Sequence, residues 1–310
     1  IISTYTAFEK LNISPQAYEA YYKEEMAQLL KIQSELMANP LTPKKQLKGI
    51  AQRINTRAEK IEDYIQRIHS DKQNVFFDDL GVDMLMFDEA HYLKSLPIIT
   101  TQYNVRGIGT ANSNRAIDAY MKIINAKDNM KIVFATGTPI TNYISDIFVL
   151  QRYLGRETMQ KQGVDIFDEW CKNYAGASTE YELKATGEYK QTTRLREFTN
   201  LPELQQSYLE FADVVTKEQM RDDMIARGLK DPEPKIKREN IILKRNAAQD
   251  EFMEQIIERT KELQSNPRAA MEKGGDNHLK IISDANKASL DMRLINPTLP
   301  RDENGKIATA

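Results

Sequence analysis

Two adjacent carboxylates, Asp88 and Glu89, follow directly on the apolar run Met84-Leu85-Met86-Phe87. In an open parallel sheet the carboxyl ends of the strands line the ligand crevice. An aspartate placed there can hold a hydrated Mg2+, a hard cation that takes oxygen ligands and keeps several waters. A glutamate one residue further on can orient or deprotonate a water for in-line attack on a γ-phosphate. A bare Asp-Glu pair would more simply be a solvated strand exit. The full string Asp88-Glu89-Ala90-His91 is more specific, because a fixed four-letter string arises by chance in a chain this long with odds on the order of one in several hundred. His91 takes its meaning from that company.

A second signal, Thr136-Gly137-Thr138-Pro139, follows the apolar run Ile132-Val133-Phe134-Ala135. Hydroxyls and a glycine at a strand end can hydrogen-bond to a neighbouring acid loop and reorganise with nucleotide state. Alone it is an ordinary turn. Its spacing of about fifty residues after the acid string, on a second strand of the same kind, gives it weight.

These loops need a scaffold. Val82 to Phe87 reads as a parallel strand covered on both faces. A helix over roughly 115–124 leads to a second strand, Lys131 to Ala135. A further helix, capped near Thr141 or Asn142, runs to Leu154 with Ile144, Ile147, Phe148 and Leu154 on one face. Strand–helix–strand–helix order implies a parallel sheet. Upstream, Ile1 to Phe8 reads as a short buried strand and turn. Residues 14–70 read as an antiparallel helical hairpin: Ser14 and Pro15 open the first helix, Pro40 and Pro43 break it, and Leu47, Ile50, Ile54, Ile61, Ile65 and Ile68 mark the second. Downstream, 181–198 alternate around Thr186-Gly187 as a β-hairpin. Helices are expected near 202–210, 247–264 and 283–294, with a Gly-Gly break at 274–275 and a polar tail from Pro297.

Charge and cysteine content bound the function. The chain has 310 residues, 43 basic against 45 acidic, for a net charge of −2, which excludes a wholly basic, histone-like binder but leaves room for a local basic groove. Cys171 is the single cysteine, so no internal disulfide can form and a cytoplasmic, reducing setting is expected. No apolar run reaches bilayer length, and no membrane partner is expected. Phe167, Trp170 and Tyr174 fall at helical spacing, which favours a small core over a base-stacking platform. Among Lys94, Arg106, Arg115, Lys122 and Lys131, only Lys94, just after the acid string, stands out as a phosphate contact.

The strings carry a resemblance. DEAHYLKSL (88–96) resembles motif II, and FATGTPITNYISDIFVLQRYL (134–154) motif III, of Swi/Snf-type superfamily 2 DEAH helicases and translocases. IISTYTAFEKL (1–11) is similar to the Thr-Tyr segment that precedes motif II and touches the nucleic-acid backbone. Residues 213–233, the helix at Gln249 and DMRLINPTLP (291–300) resemble the run towards a second motor domain. The flavour is closest to the large helicase–methylase proteins of phages and conjugative elements, some of them antirestriction proteins. About forty residues carry the tight part of the likeness.

The resemblance implies an α/β fold: a RecA-like parallel sheet with flanking helices, the inserted hairpin, and a mostly helical C-terminal extension. It divides the chain into a first motor domain (1–155), a connector with a β-hairpin (156–245), and a helical lead-in (246–310) to a second RecA-like domain. It implies ATP and Mg2+ as cofactors and double-stranded DNA as partner. Asp88 would hold Mg2+ through water and Glu89 would activate the attacking water. His91, Thr136, Gly137 and Thr138 would couple the nucleotide to the DNA face, where Ser3, Thr4, Lys94 and Asn142 would lie. No GxxxxGK[ST] phosphate loop occurs in the sequence, and no arginine finger is recognised. Flanking or companion segments are expected to supply both, so the chain alone should not turn over ATP appreciably. The rival expectation is a non-catalytic, helicase-derived binding or structural module, such as a phage virion component.

Overall fold

The computed structural model describes residues 1–40, 42–70, 75–102, 105–109, 111–125, 130–183, 189–230, 236–266 and 275–309. They form two compact units. The first comprises residues 1–179 and 192–214, the second residues 180–191 and 215–310.

In the first unit the opening segment is a single helical turn, not a strand. Thr4 caps α1 (Tyr5–Phe8) by accepting a hydrogen bond from the Ala7 amide, while Ile1 and Ile2 stand fully exposed. A capping threonine ahead of four residues that can turn outweighs the β preference of two isoleucines that have nothing to pack against.

Ser14 accepts from the Ala17 amide and Pro15 takes the first helical position, so α2 (Pro15–Ala38) begins where the sequence places it. It packs against α3 (Lys44–Ser70). The pairs Ile13–Tyr64, Glu25–Arg57 and the Leu29/Ile32/Ile50 cluster run in opposite directions along the two helices, so the pairing is antiparallel. Ile99 closes that cluster from the body of the unit.

The α/β part follows. β1 (Met84–Phe87) and β2 (Lys131–Phe134) pair in parallel with Phe87 opposite Phe134, and α4 (Asn114–Ile124), capped by Ser113, lies between them in sequence. Coverage on both faces does not hold: Met84 and Met86 share a face and are 49% and 66% exposed. Among the described residues the parallel sheet has two strands.

α5 (Ser145–Leu154) starts later than expected, leaving Thr141 and Asn142 in the preceding loop. Asp146, in its first turn, accepts from both the amide and the hydroxyl of Thr141 and so ties that loop down. α6 (Arg156–Gln162) and α7 (Phe167–Tyr174) complete the core, with Phe167, Trp170 and Tyr174 all buried and the Trp170 indole N–H donating to Gln151 at 2.7 Å. These aromatics are core, not a stacking platform.

β3 (Ala175–Leu183) and β4 (Tyr189–Phe198) form the second, antiparallel sheet; the expected turn at Thr186-Gly187 lies outside the described residues. The loop at Arg106 pairs with β4, and Gly107 (φ +89°) passes so close that an added Cβ would lie 2.6 Å from the Leu195 carbonyl oxygen. α8 (Leu201–Leu209) ends this unit's regular structure.

The second unit is mainly helical: α9 (Lys217–Ala226), α10 (Ala247–Ser265), α11 (His278–Leu290) and α12 (Lys306–Thr309). Ile256, Leu263 and Ile281 form its small core, and Arg259 bridges Asp276 and Asp284. The helix expected from 283 begins five residues earlier because Asn277 caps it. Of the expected break at 274–275, Gly274 lies outside the described residues. No helix among the described residues is long and apolar enough to cross a membrane.

Candidate nucleotide and coupling site

Parallel pairing of β1 with β2 puts the acid loop beside the threonine-rich loop. The Ala135 amide donates to the Phe87 carbonyl at 2.8 Å, and the Ala90 amide donates to the Ala135 carbonyl at 2.9 Å. The ladder thus continues one step beyond the strands and holds Asp88 and Glu89 in a short bight between its last two bonds.

Glu89 occupies the left-handed region (φ 51°, ψ 45°), uncommon for a residue with a side chain. That conformation turns the chain from β1 into a 3-10 turn, Ala90–Leu93, whose Ala90 and Leu93 are fully buried. Glu89 itself stays exposed. Asp88 accepts the Glu89 amide on one carboxylate oxygen at 2.9 Å. Its other oxygen has no hydrogen-bond partner among the described residues.

His91 Nδ1 lies 3.0 Å from Glu89 Oε2, but off the line for a hydrogen bond, and the atom is buried without a partner. The His91 ring leans on Tyr92 at 4.4 Å. A buried ring nitrogen left unpaired is costly unless another arrangement of the loop satisfies it.

Lys94 is engaged within the chain. Its ammonium donates to the Thr138 carbonyl at 2.8 Å, the Thr141 hydroxyl at 3.0 Å and Asp146 Oδ2 at 3.3 Å. An ammonium has three donors, and all three are used within the chain. The ammonium thereby ties together the acid loop, the threonine-rich loop and α5. Lys122, another cation considered for phosphate, is fully buried between Asp118 and the Phe8 carbonyl.

The remaining expected residues fall as follows. Thr136 accepts from the Thr138 amide at 3.1 Å, fixing the turn, and Gly137 at its tip has open space around it. Asn142 is exposed and lines a cavity of about 170 Å3 with His91, Lys94, Tyr143 and Asp146. Ser3 and Thr4 are exposed, with Thr4 engaged as the α1 cap and the Ser3 hydroxyl donating to the Thr4 carbonyl.

Two residues join the site that their sequence positions did not announce. Tyr5 donates its hydroxyl to the Asp88 carbonyl at 2.8 Å, stacks on Phe87 and sits under Arg115. Burial, followed by the nearby Asp88 carboxylate, raises the Tyr5 phenol above its ordinary range, so it remains a donor. Asp146 is the other. Both lie inside the strings quoted for the resemblance, but nothing local marks either as aimed at the loops.

A divalent metal has a limited fit. Among the described residues no group of three or more carboxylate, imidazole or thiol side chains is gathered to cage one. What the acid loop offers is two adjacent exposed carboxylates at a strand end, a set that suits a largely hydrated Mg2+ and not a caged ion.

The sequence model of a family described as "Probable helicase domain" matches residues 1–216. No curated protein and no solved structure matches the chain.

Proposed function

The chain belongs to the probable helicase domain family, and from that premise we propose that it forms part of an ATP-dependent motor on double-stranded DNA, of the Swi/Snf-type DEAH class and RecA-like in its sheet. One observation carries this reading: the in-register parallel pair continues through Ala90 and Ala135, so the two carboxylates and the threonine-rich turn leave neighbouring strands at the same end of the sheet.

Mg2+ when bound would neutralise and orient phosphate oxygens, and the open carboxylate of Asp88 is the group to hold it through water. The exposed Glu89 carboxylate would orient and deprotonate the attacking water. His91, which has its Nδ1 beside Glu89 and also lines the Asn142 cavity, would sense the state of that carboxylate. Thr136, Gly137 and Thr138 would carry the change through the Lys94 tie to α5. Ser3, Thr4 and Asn142 remain the candidates for the DNA backbone. The phosphate loop and second lobe would come from flanking or companion segments.

The test joins the chain to segments carrying those parts and replaces Glu89 with Gln. DNA-stimulated ATP hydrolysis should fall at least about a hundredfold while ATP binding survives. Undiminished hydrolysis overturns the role of Glu89, and absence of hydrolysis in the joined unmutated protein favours a non-catalytic module, such as a virion component.

A further inference from the structure

We propose that the exposed face at the start of α3, built on Lys44, Lys45 and Lys48 with Gln52 and Asn55 alongside, is a contact surface for the phosphate backbone of a nucleic acid. The choice of partner rests on the DNA-motor reading, whereas the surface itself rests on charge and exposure.

Residues 44–58 hold five cations and no carboxylate, in a chain whose acids outnumber its bases. Arg57 is engaged with the buried Glu25 at 3.1 Å. Lys44, Lys45 and Lys48 are exposed, and among the described residues none of them pairs with a carboxylate. Steps of three and four residues bring Lys44, Lys48, Gln52 and Asn55 onto one stripe, with Lys45 beside it. Uncompensated like charges on neighbouring turns repel, and that repulsion is relieved when a polyanion lies across them. The interleaved amides add donors suited to phosphate and sugar oxygens.

The surface does not suit a membrane. The apolar positions of α3, Leu47, Ile50, Ile54, Ile61 and Tyr64, are all buried or half-buried, and none of the exposed large hydrophobic residues lies between 42 and 67. A membrane-surface helix needs an exposed apolar face to insert. A cationic, amide-bearing stripe without one fits a phosphate backbone.

The experiment uses the 310-residue chain without nucleotide and a fluorescent duplex of about 30 base pairs, titrated between about 50 and 200 mM NaCl. Each phosphate neutralised adds about 0.9 to the slope of log K against log salt. The triple variant Lys44→Gln, Lys45→Gln, Lys48→Gln should lower that slope by about 2 to 3 and weaken binding roughly tenfold or more at the low-salt end. Lys→Arg at the same positions should restore both, and circular dichroism should show the helices intact. An unchanged slope and affinity in the Gln variant overturns the proposal and leaves the ATPase reading untouched. Failure of the unmutated chain to bind duplex or single strands also overturns it, as does binding to phosphatidylserine vesicles that is lost in the Gln variant while nucleic-acid binding is not. Slope loss in that variant stands even where Glu89→Gln leaves ATP turnover intact, so the two readings fail separately.

Discussion

Lys94 Nζ and Asp146 Oδ2 face each other at 3.3 Å, each side chain less than a tenth exposed, and between them hold the Thr138 carbonyl and Thr141. A buried pair of this kind adds modest stability as a pair but is expensive to break from one side, because the survivor stays charged and desolvated. Lys94→Met should therefore cost about 3–5 kcal/mol in urea unfolding, and adding Asp146→Asn, which removes the stranded charge but keeps an acceptor for Thr141, should regain part of it. With its ammonium held inside the chain, Lys94 should add nothing to the salt dependence of DNA binding, which should be the same in the double variant as in the unmutated chain; a slope lower by about one would mark Lys94 as a phosphate contact.

Glu89 provides a prediction that separates backbone from side chain. Its left-handed conformation is strained for any residue with a Cβ and free of strain for glycine. Glu89→Gly should be more stable than Glu89→Ala by about 1 kcal/mol, although both lack the carboxylate. Equal stabilities in thermal or urea unfolding would mean that the turn after β1 relaxes to an ordinary conformation.

These two residues show what the sequence made legible. Strand identity, parallel pairing and the meeting of the two loops follow from short apolar runs ending in chemistry-bearing strings, because hydrophobic periodicity and strand-end geometry are local properties. The helical hairpin was legible for the same reason. Not legible was where long side chains end. Lys94 reads as a surface cation until α5 brings Asp146 over it, a contact spanning 52 residues. The first eight residues misled because Ile-Ile suggests a strand, and only the absence of a neighbour to pair with shows otherwise. Exposure of Met84 and Met86 was equally hidden, since an apolar run states a preference for burial without stating what covers it.

A buried ion pair outside the site sets a pH dependence. Burial raises the Asp118 carboxyl from 3.8 to about 6 despite Lys122 at 2.6 Å, and burial likewise lowers Lys122. The native chain thus keeps the Asp118 proton up to about pH 6, while the unfolded chain releases it near 3.8. Between these values the native state binds more protons, so this group's contribution to stability falls as pH rises through the window and is lost above it. Asp118→Asn with Lys122→Met should remove that component. The free energy of unfolding of the unmutated chain minus that of the double variant should decline from pH 4 to pH 6. A flat difference would show that the pair titrates as it does in the unfolded chain.

The last prediction concerns Tyr5, which links the opening segment to the acid loop. Its hydroxyl meets the Asp88 carbonyl at 2.8 Å, and its ring is packed against Phe87 and Tyr92, with centroids 5.9 and 5.8 Å away. Tyr5→Phe keeps the ring contacts and deletes one neutral hydrogen bond, so global stability should drop by only about 1 kcal/mol. The local effect should be larger, because Asp88 and Glu89 sit between the last two ladder bonds and the Tyr5 hydroxyl pins the carbonyl between them. Amide hydrogen exchange at Ala90, whose N–H is bonded to the Ala135 carbonyl, should accelerate by more than the global loss accounts for. In the chain joined to segments that carry a phosphate loop and a second lobe, kcat for ATP should fall with KM little changed, the pattern of a group that positions the carboxylates without touching the nucleotide. Exchange at Ala90 that rises only in step with global unfolding would reduce Tyr5 to a packing residue.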